Sequence, residues 1–256
     1  MNEYVHAGPP SAVVLDTDGV LIDSAVVHAT AWRTAFDGCL PEWTAGGRDG
    51  EPFDAEADYR RYVDGRSRYD GAEAFLTSRG VSLPAGSADD PPGCGTVWAV
   101  AARKEHAFLN ALRTRPVVVF DDVGPALTAL GSLHVPRAAV SASRHARTLL
   151  AAAGLDRLLT AVVDGEDARR LGLPGKPDPA LFLHAARVLG VHPRDCAVVE
   201  DATAGVLAAR DGRFGLVVGL DRTPDRRATP ALRRGGADAV VADLGELLET
   251  GWGTVP

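Results

Sequence analysis

Two aspartates one residue apart, Asp16 and Asp18, close the apolar run that begins at Val13 and stand just before Gly19. A second acid pair, Glu200-Asp201, closes the apolar run CAVV. Burying carboxylates without partners is costly, and like charges this close oppose each other's ionisation. Four such groups converging at one sheet edge require a cation. Oxygen donors with no His or Cys among them favour a hard divalent ion, Mg²⁺. Two further features lie between the acid pairs. Ser141-Ala142-Ser143 offers a hydroxyl and backbone N–H groups just before a helix start, an arrangement that can cradle a phosphate. Lys176, in the turn GKPDP, supplies a point charge for a phosphate or a carboxylate. Taken alone, a DTDG sequence reads equally well as a surface turn. The other three motifs favour chemistry.

These residues need a frame. Short apolar, β-branched runs at 12–15, 137–141, 160–164, 196–200, 216–220 and 238–242 read as buried parallel strands, and each motif except the lysine turn ends one of them. Helical patterns alternate with them. RHARTLLAAAG stops at Gly154, and DPALFLHAARVLG starts with Asp178 as N-cap and Pro179 at the first helical position. Alternating strands and helices predict a doubly wound α/β sheet with right-handed crossovers. Ligands of such sheets bind at the carboxyl ends of the strands. Residues 24–110 differ, with helical spacing and no strand-like run, and read as an inserted helical cap. The core is expected over 11–23 and 111–256, with residues 1–10 as an N-terminal tail. The Pro-, Gly- and Asp-rich stretch 83–95 reads as an exposed loop. The arginine-rich stretch 221–234 reads as a solvated loop and helix.

Composition excludes several classes. With 256 residues, 46% hydrophobic and 24% charged, the chain is an ordinary globular sequence. A net charge of −7 without a basic block argues against a nucleic-acid partner. No apolar run reaches the roughly 20 residues of a membrane helix, and MNEYVHAGPP is not a signal peptide. Three widely spaced cysteines, Cys39, Cys94 and Cys196, suggest neither a disulfide framework nor a zinc site. A reducing, cytoplasmic setting and a monomeric chain are expected. Only two of the 27 basic residues are lysines, Lys104 and Lys176. Either chance left them, or a compact ammonium is required at both places.

An acid pair, a serine, a lysine and a second acid pair, in this order at strand ends, resemble the haloacid dehalogenase superfamily. The resemblance implies that Asp16 is the nucleophile that forms an aspartyl-phosphate and that Asp18 is the general acid/base. It implies Mg²⁺ held by the Asp16 carboxylate, the Asp18 carbonyl and Asp201, with Glu200 adjacent. Ser141 and Lys176 would hold the transferring phosphate. Dehalogenation itself needs neither the second aspartate nor the metal, so phosphoryl transfer is the expected reaction.

The helical insert is similar to the cap of the β-phosphoglucomutase group. DSAVVHATAW places His28 and Trp32 on that group's cap His and Trp. DGRSRYDG matches its substrate loop, with Ser67 and with Arg68 on the arginine that grips the distal phosphate. AARKEHAF places Lys104 on its cap lysine, and Ser143, Arg144 and His145 fall in its distal phosphate loop. A lone His on a helix is more often structural. The spacing of His28 from Asp18, with Trp32 one turn later, favours a role in catalysis, in which His28 and Lys104 couple Asp18 to cap closure. Two phosphate sites suit a mutase that holds a bisphosphate in either orientation. The resemblance therefore implies interconversion of β-D-glucose 1-phosphate and glucose 6-phosphate. A Mg²⁺-dependent sugar-phosphate phosphatase on the same scaffold is the alternative, and a small sugar phosphate is the expected partner in either case. Arg144 and His145 depart from the Lys and Asn usual in that loop, and FDDVG at 120–124 lacks the usual Pro-Gly turn.

Overall fold

The structure is a computed structural model and describes residues 10–44, 50–113 and 116–249. The tail expected at 1–10 lies outside the described residues except for Pro10. The chain forms two compact units. One is the contiguous segment Ser24–Val117, and the other is built from the chain before and after it. The second boundary falls after 110 because Val118 and Val119 join the β-structured exit of the core: the Val118 carbonyl accepts from the Asp23 N–H at 2.8 Å, and Val119 bridges Ile22.

The inserted unit consists of helices α1 (Ala25–Asp37), α2 (Leu40–Thr44), α3 (Arg68–Ser78) and α4 (Val97–Leu112). α3 and α4 start where Ser67 and Thr96 accept the N–H of the third residue on, from Asp70 and Ala99, as N-caps do. Aromatic side chains fill the centre. Phe36 stacks on Phe75 at 4.0 Å and on Trp32 at 4.8 Å, with Phe53 tilted against Phe36 and edge-on to Phe75. Large rings bury much apolar area, so few residues suffice for a separate core.

A disulfide joins Cys39, just beyond α1, to Cys94, just before α4. This corrects the expectation of unpaired cysteines. The two are 55 residues apart in sequence, but they lie at one end of two packed helices. Spacing alone could not show that. The inference of a reducing compartment loses its premise. The 83–95 loop is a loop, but not an exposed one throughout: Cys94 is buried, and Asp90 ties the Ser87 N–H and the Thr96 hydroxyl.

The other unit is a six-stranded parallel sheet ordered β3-β2-β1-β4-β5-β6. The strands are β1 (Ala12–Asp16), β2 (Arg137–Val140), β3 (Ala161–Val163), β4 (Cys196–Glu200), β5 (Leu216–Leu220) and β6 (Ala239–Val241). Helices α5 (Val123–Ser132), α6 (Ala146–Ala152), α7 (Gly165–Leu171), α8 (Ala180–Leu189), α9 (Thr203–Asp211), α10 (Thr229–Gly235) and α11 (Leu244–Glu249) connect or follow them. The central strands β1 and β4 are buried along their full length, as continuous apolar runs in a parallel sheet must be. α8 begins one residue later than the sequence predicts. Pro179 takes the cap position, because the Asp178 carboxylate accepts from the Ala180 N–H at 2.9 Å rather than from further inside. The stretch 221–234 is not wholly solvated, since Asp221 is buried and accepts from Thr223 and Thr229. Among the described residues no helix is long and apolar enough to cross a membrane.

Cys196 is a free, buried thiol at the start of β4, and burial pushes its pKa up to about 11. Thiol titration therefore checks the cysteine assignment. The unfolded, unreduced chain should show one reactive thiol, the unfolded, reduced chain three, and the native protein almost none at pH 8. Three thiols without reductant would refute the cross-link. In a chain-entropy picture, Cys39→Ser should lower stability by up to about 4 kcal/mol for a loop of this length.

Candidate active site

Register fixes the site. Asp16 lies opposite Val140 of β2, and Leu15 lies opposite Val199 of β4. The residues that leave these strands, Asp16, Ser141 and Glu200, thus emerge together at one sheet edge. Lys176 enters from the loop before α8. Its ammonium donates to Asp16 Oδ1 and, at 2.7 Å, to Glu200 Oε2. All three groups are buried. The second Glu200 oxygen accepts from the Ala202 N–H at 3.0 Å.

Burial pushes the Asp16 carboxyl well above the ordinary carboxylate range. The nearby Glu200 and Asp18 charges add to this, and Lys176 opposes it. Burial also disfavours the Lys176 ammonium, but the two carboxylates outweigh that and hold its pKa above the usual value. The lysine therefore stays charged, and the pocket around it has more acid than base.

The excess acid sits where a cation fits. Carboxylate oxygens of Asp16, Glu200 and Asp201 lie within 4.8 Å of one another. Two glycines make the approach possible. A Cβ on Gly19, whose φ is +83°, would collide with the Asp201 carboxylate, and one on Gly205 would collide with Glu200. An all-oxygen, partly buried donor set with surplus negative charge suits a divalent ion.

Asp18 follows β1 by two residues, and its Oδ2 accepts from the Ser141 hydroxyl at 2.9 Å. The same hydroxyl accepts from the Ser143 N–H at 3.0 Å. Ser143 in turn uses its own oxygen to accept from the His145 N–H and its carbonyl to accept from the Gly165 N–H. The segment Ser141-Ala142-Ser143 is thus a tightly bonded loop that leads to α6. Arg144 points to Glu166, 3.2 Å away, from a half-exposed position.

In the inserted unit, Lys104 Nζ lies 2.9 Å from His28 Nδ1, and both side chains are buried. An ammonium can only donate, so Nδ1 is the acceptor in this contact. The ammonium also lies over the faces of Phe108, at 4.5 Å, and Trp32, at 5.6 Å, a geometry that stabilises a desolvated cation. Trp32 is itself part of the unit's aromatic core. Arg68 opens α3 and pairs with Glu105 at 3.1 Å, with Trp98 beneath its guanidinium. Ser67 caps α3 and donates to Asp70 at 2.6 Å.

Three polar participants escaped the sequence reading. Glu105, next to Lys104, engages Arg68. Asp122 and Arg222 form a bidentate pair beside the turn after Asp18. Arg222 follows Asp221 at the end of β5, and strand-end position is the signal that singled out the other site residues.

Replacing Lys176 by Met should destabilise the metal-free protein by about 3–5 kcal/mol, because two buried carboxylates lose their counter-charge. A carboxyl held above its ordinary range stabilises the fold while protonated and loses that contribution as pH rises through its folded pKa. The deficit of Lys176→Met should therefore be largest near neutral pH and shrink on acidification. Urea titrations across pH measure this. A deficit that grows on acidification would contradict the charge assignment.

A haloacid dehalogenase-like hydrolase family model matches residues 10–212. The β-phosphoglucomutase of Mycobacterium bovis is 45% identical over 240 residues, which cover 93% of this chain and 91% of that protein. The validoxylamine A 7′-phosphate phosphatase of Streptomyces hygroscopicus subsp. limoneus is 30% identical, over 91% of this chain and 94% of that one. A Clostridium difficile β-phosphoglucomutase structure superposes with a TM-score of 0.72 at 21% identity, over 95% of this chain and 97% of that one, a likeness of fold. The chain thus belongs to the haloacid dehalogenase-like hydrolase family, in its β-phosphoglucomutase-like branch.

Proposed function

We propose that this protein is a β-phosphoglucomutase that interconverts β-D-glucose 1-phosphate and glucose 6-phosphate through the 1,6-bisphosphate. The observation that carries the reading is the 45% identity to the Mycobacterium bovis enzyme over nearly the whole of both chains. The geometry supports it. Asp16 Oδ attacks phosphorus, and the aspartyl-phosphate then gives its phosphoryl group to the other sugar hydroxyl. Asp18 gives a proton to the departing sugar oxygen as Asp16 attacks, and takes one from the attacking hydroxyl when the aspartyl-phosphate gives up its phosphoryl group. Lys176 neutralises Asp16 and Glu200 and offers its charge to the phosphoryl oxygens.

Mg²⁺ is the ion this donor set fits. Asp16, Glu200 and Asp201, with the Asp18 carbonyl, would hold it, and once bound it neutralises charge on the transferring group. Each unit has its own station for the second phosphate. Arg68, with Ser67 behind it, is the one in the insert; its forked donors suit a phosphate. Ser143, Arg144 and His145, with the Ala142 backbone, form the one in the core unit. His28 and Lys104 form the cationic pair that the insert contributes. The likeness to the validoxylamine A 7′-phosphate phosphatase supports a second reading, hydrolysis of a sugar phosphate.

Supplying β-glucose 1-phosphate, Mg²⁺ and a trace of the bisphosphate, and following glucose 6-phosphate and free phosphate separately, distinguishes the two. Glucose 6-phosphate should dominate and should require the bisphosphate. Dominant phosphate release without that requirement favours the phosphatase. Asp16→Asn should abolish both. Arg68→Ala should raise the apparent KM for the bisphosphate about tenfold or more, the scale expected when a charged hydrogen-bonding partner is lost. An unchanged KM would remove Arg68 from phosphate binding.

A further inference from the structure

Asp18 begins a sharp turn. The Gly19 N–H donates to the Ile22 carbonyl at 2.9 Å, and the N–H groups of Leu21 and Ile22 both donate to the Thr17 carbonyl at 3.0 Å. The turn's own amides are thereby used inside it. The carbonyls of Gly19 and Val20 are taken from outside by one side chain. Arg222 donates from Nε to Gly19 O at 3.2 Å and from Nη2 to Val20 O at 3.0 Å. The rest of its fork grips Asp122, with Nη1 to Oδ1 at 3.0 Å and Nη2 to Oδ2 at 2.9 Å. Its plane lies 3.9 Å from the centre of the Phe120 ring. Asp122 is anchored in turn, since its Oδ2 accepts from the Leu244 N–H at 2.7 Å, at the start of α11. Both side chains of the pair are largely buried, at 17% exposure each.

We propose that Arg222 is a positioning residue for the reaction, which fixes the orientation of Asp18 by clamping the two carbonyls that follow it to the Asp122–Leu244 side of the sheet. The proposal rests on the reading of Asp18 as acid/base. Asp18 has two backbone flanks. The strand β1 holds the first through Asp16, and the guanidinium holds the second. The Asp18 carboxylate must keep its line to Ser141 Oγ while it exchanges a proton with a sugar oxygen. A slack turn would let it drift, and small misplacements of a reacting group cost rate steeply. The site also explains the residue type. Two carbonyls and a bidentate carboxylate on adjacent edges of one planar group, which meet at Nη2, match arginine's rigid fork, and a lysine ammonium cannot span them.

Arg222→Met keeps the packing over Phe120 and removes the donors. It should lower kcat between about tenfold and a hundredfold while leaving KM for the sugar phosphate within about twofold, because the loss falls on the transition state rather than on binding. Arg222→Lys should keep the fold, by circular dichroism and melting temperature, and recover only part of kcat, so the test survives if the Met variant unfolds. Asp18→Asn isolates the underlying reading: full turnover in that variant refutes the acid/base role itself. If Asp18→Asn is crippled, a double-mutant cycle decides the positioning role. Arg222→Met added to Asp18→Asn should cost little more. The same loss in both backgrounds, a raised KM at unchanged kcat, or wild-type kcat in Arg222→Lys would each overturn the proposal.

Discussion

One buried ammonium organises the catalytic unit. Lys176 lies between Asp16 and Glu200 at the carboxyl edge of the sheet and is the counter-charge both buried acids share. The lysine binds both acids and still leaves the pocket short of positive charge. Burial, with the neighbouring acids, therefore draws Asp16 toward protonation. Parallel register brings β1, β2 and β4 to the same edge, and glycines at 19 and 205 let the carboxylates of Asp201 and Glu200 press against backbone. Each of these features serves the same small volume.

The insert solves a different electrostatic problem with the chain's other lysine. Lys104 is desolvated by aromatic faces and lies against an imidazole nitrogen. Arg68 has a carboxylate partner in Glu105.

Much of this was legible in the sequence, because strands buried on both faces cannot hide their composition. All six runs read as strands are strands, and the acids were visible as polar residues that break apolar runs. The four motif groups share an edge because parallel strands share a direction, which is a property of topology and not of any residue. What stayed hidden depends on distance in space. The Cys39–Cys94 pair needed the antiparallel packing of α1 on α4. Arg222 and Asp122 are separated by 100 positions; the stretch that holds Arg222 reads as solvated surface, and the one that holds Asp122 gives no sign of a partner. Glu105 was visible only as a neighbour of Lys104. Asp178 was assigned correctly as a local hydrogen-bond acceptor but one residue off as a cap, because an Asx-type bond two residues ahead outcompeted the longer reach.

The discontinuous core has a consequence for how the molecule is made. During synthesis β1 emerges first, yet its acids find Lys176 only after 160 further residues have followed. The insert is contiguous, has its own aromatic core and its own cross-link, and is complete well before β2 leaves the ribosome. Domains generally fold as units in the order they emerge. The insert can therefore form while β1 still waits for its partner strands, and the carboxylate cluster closes only once β4 has been made.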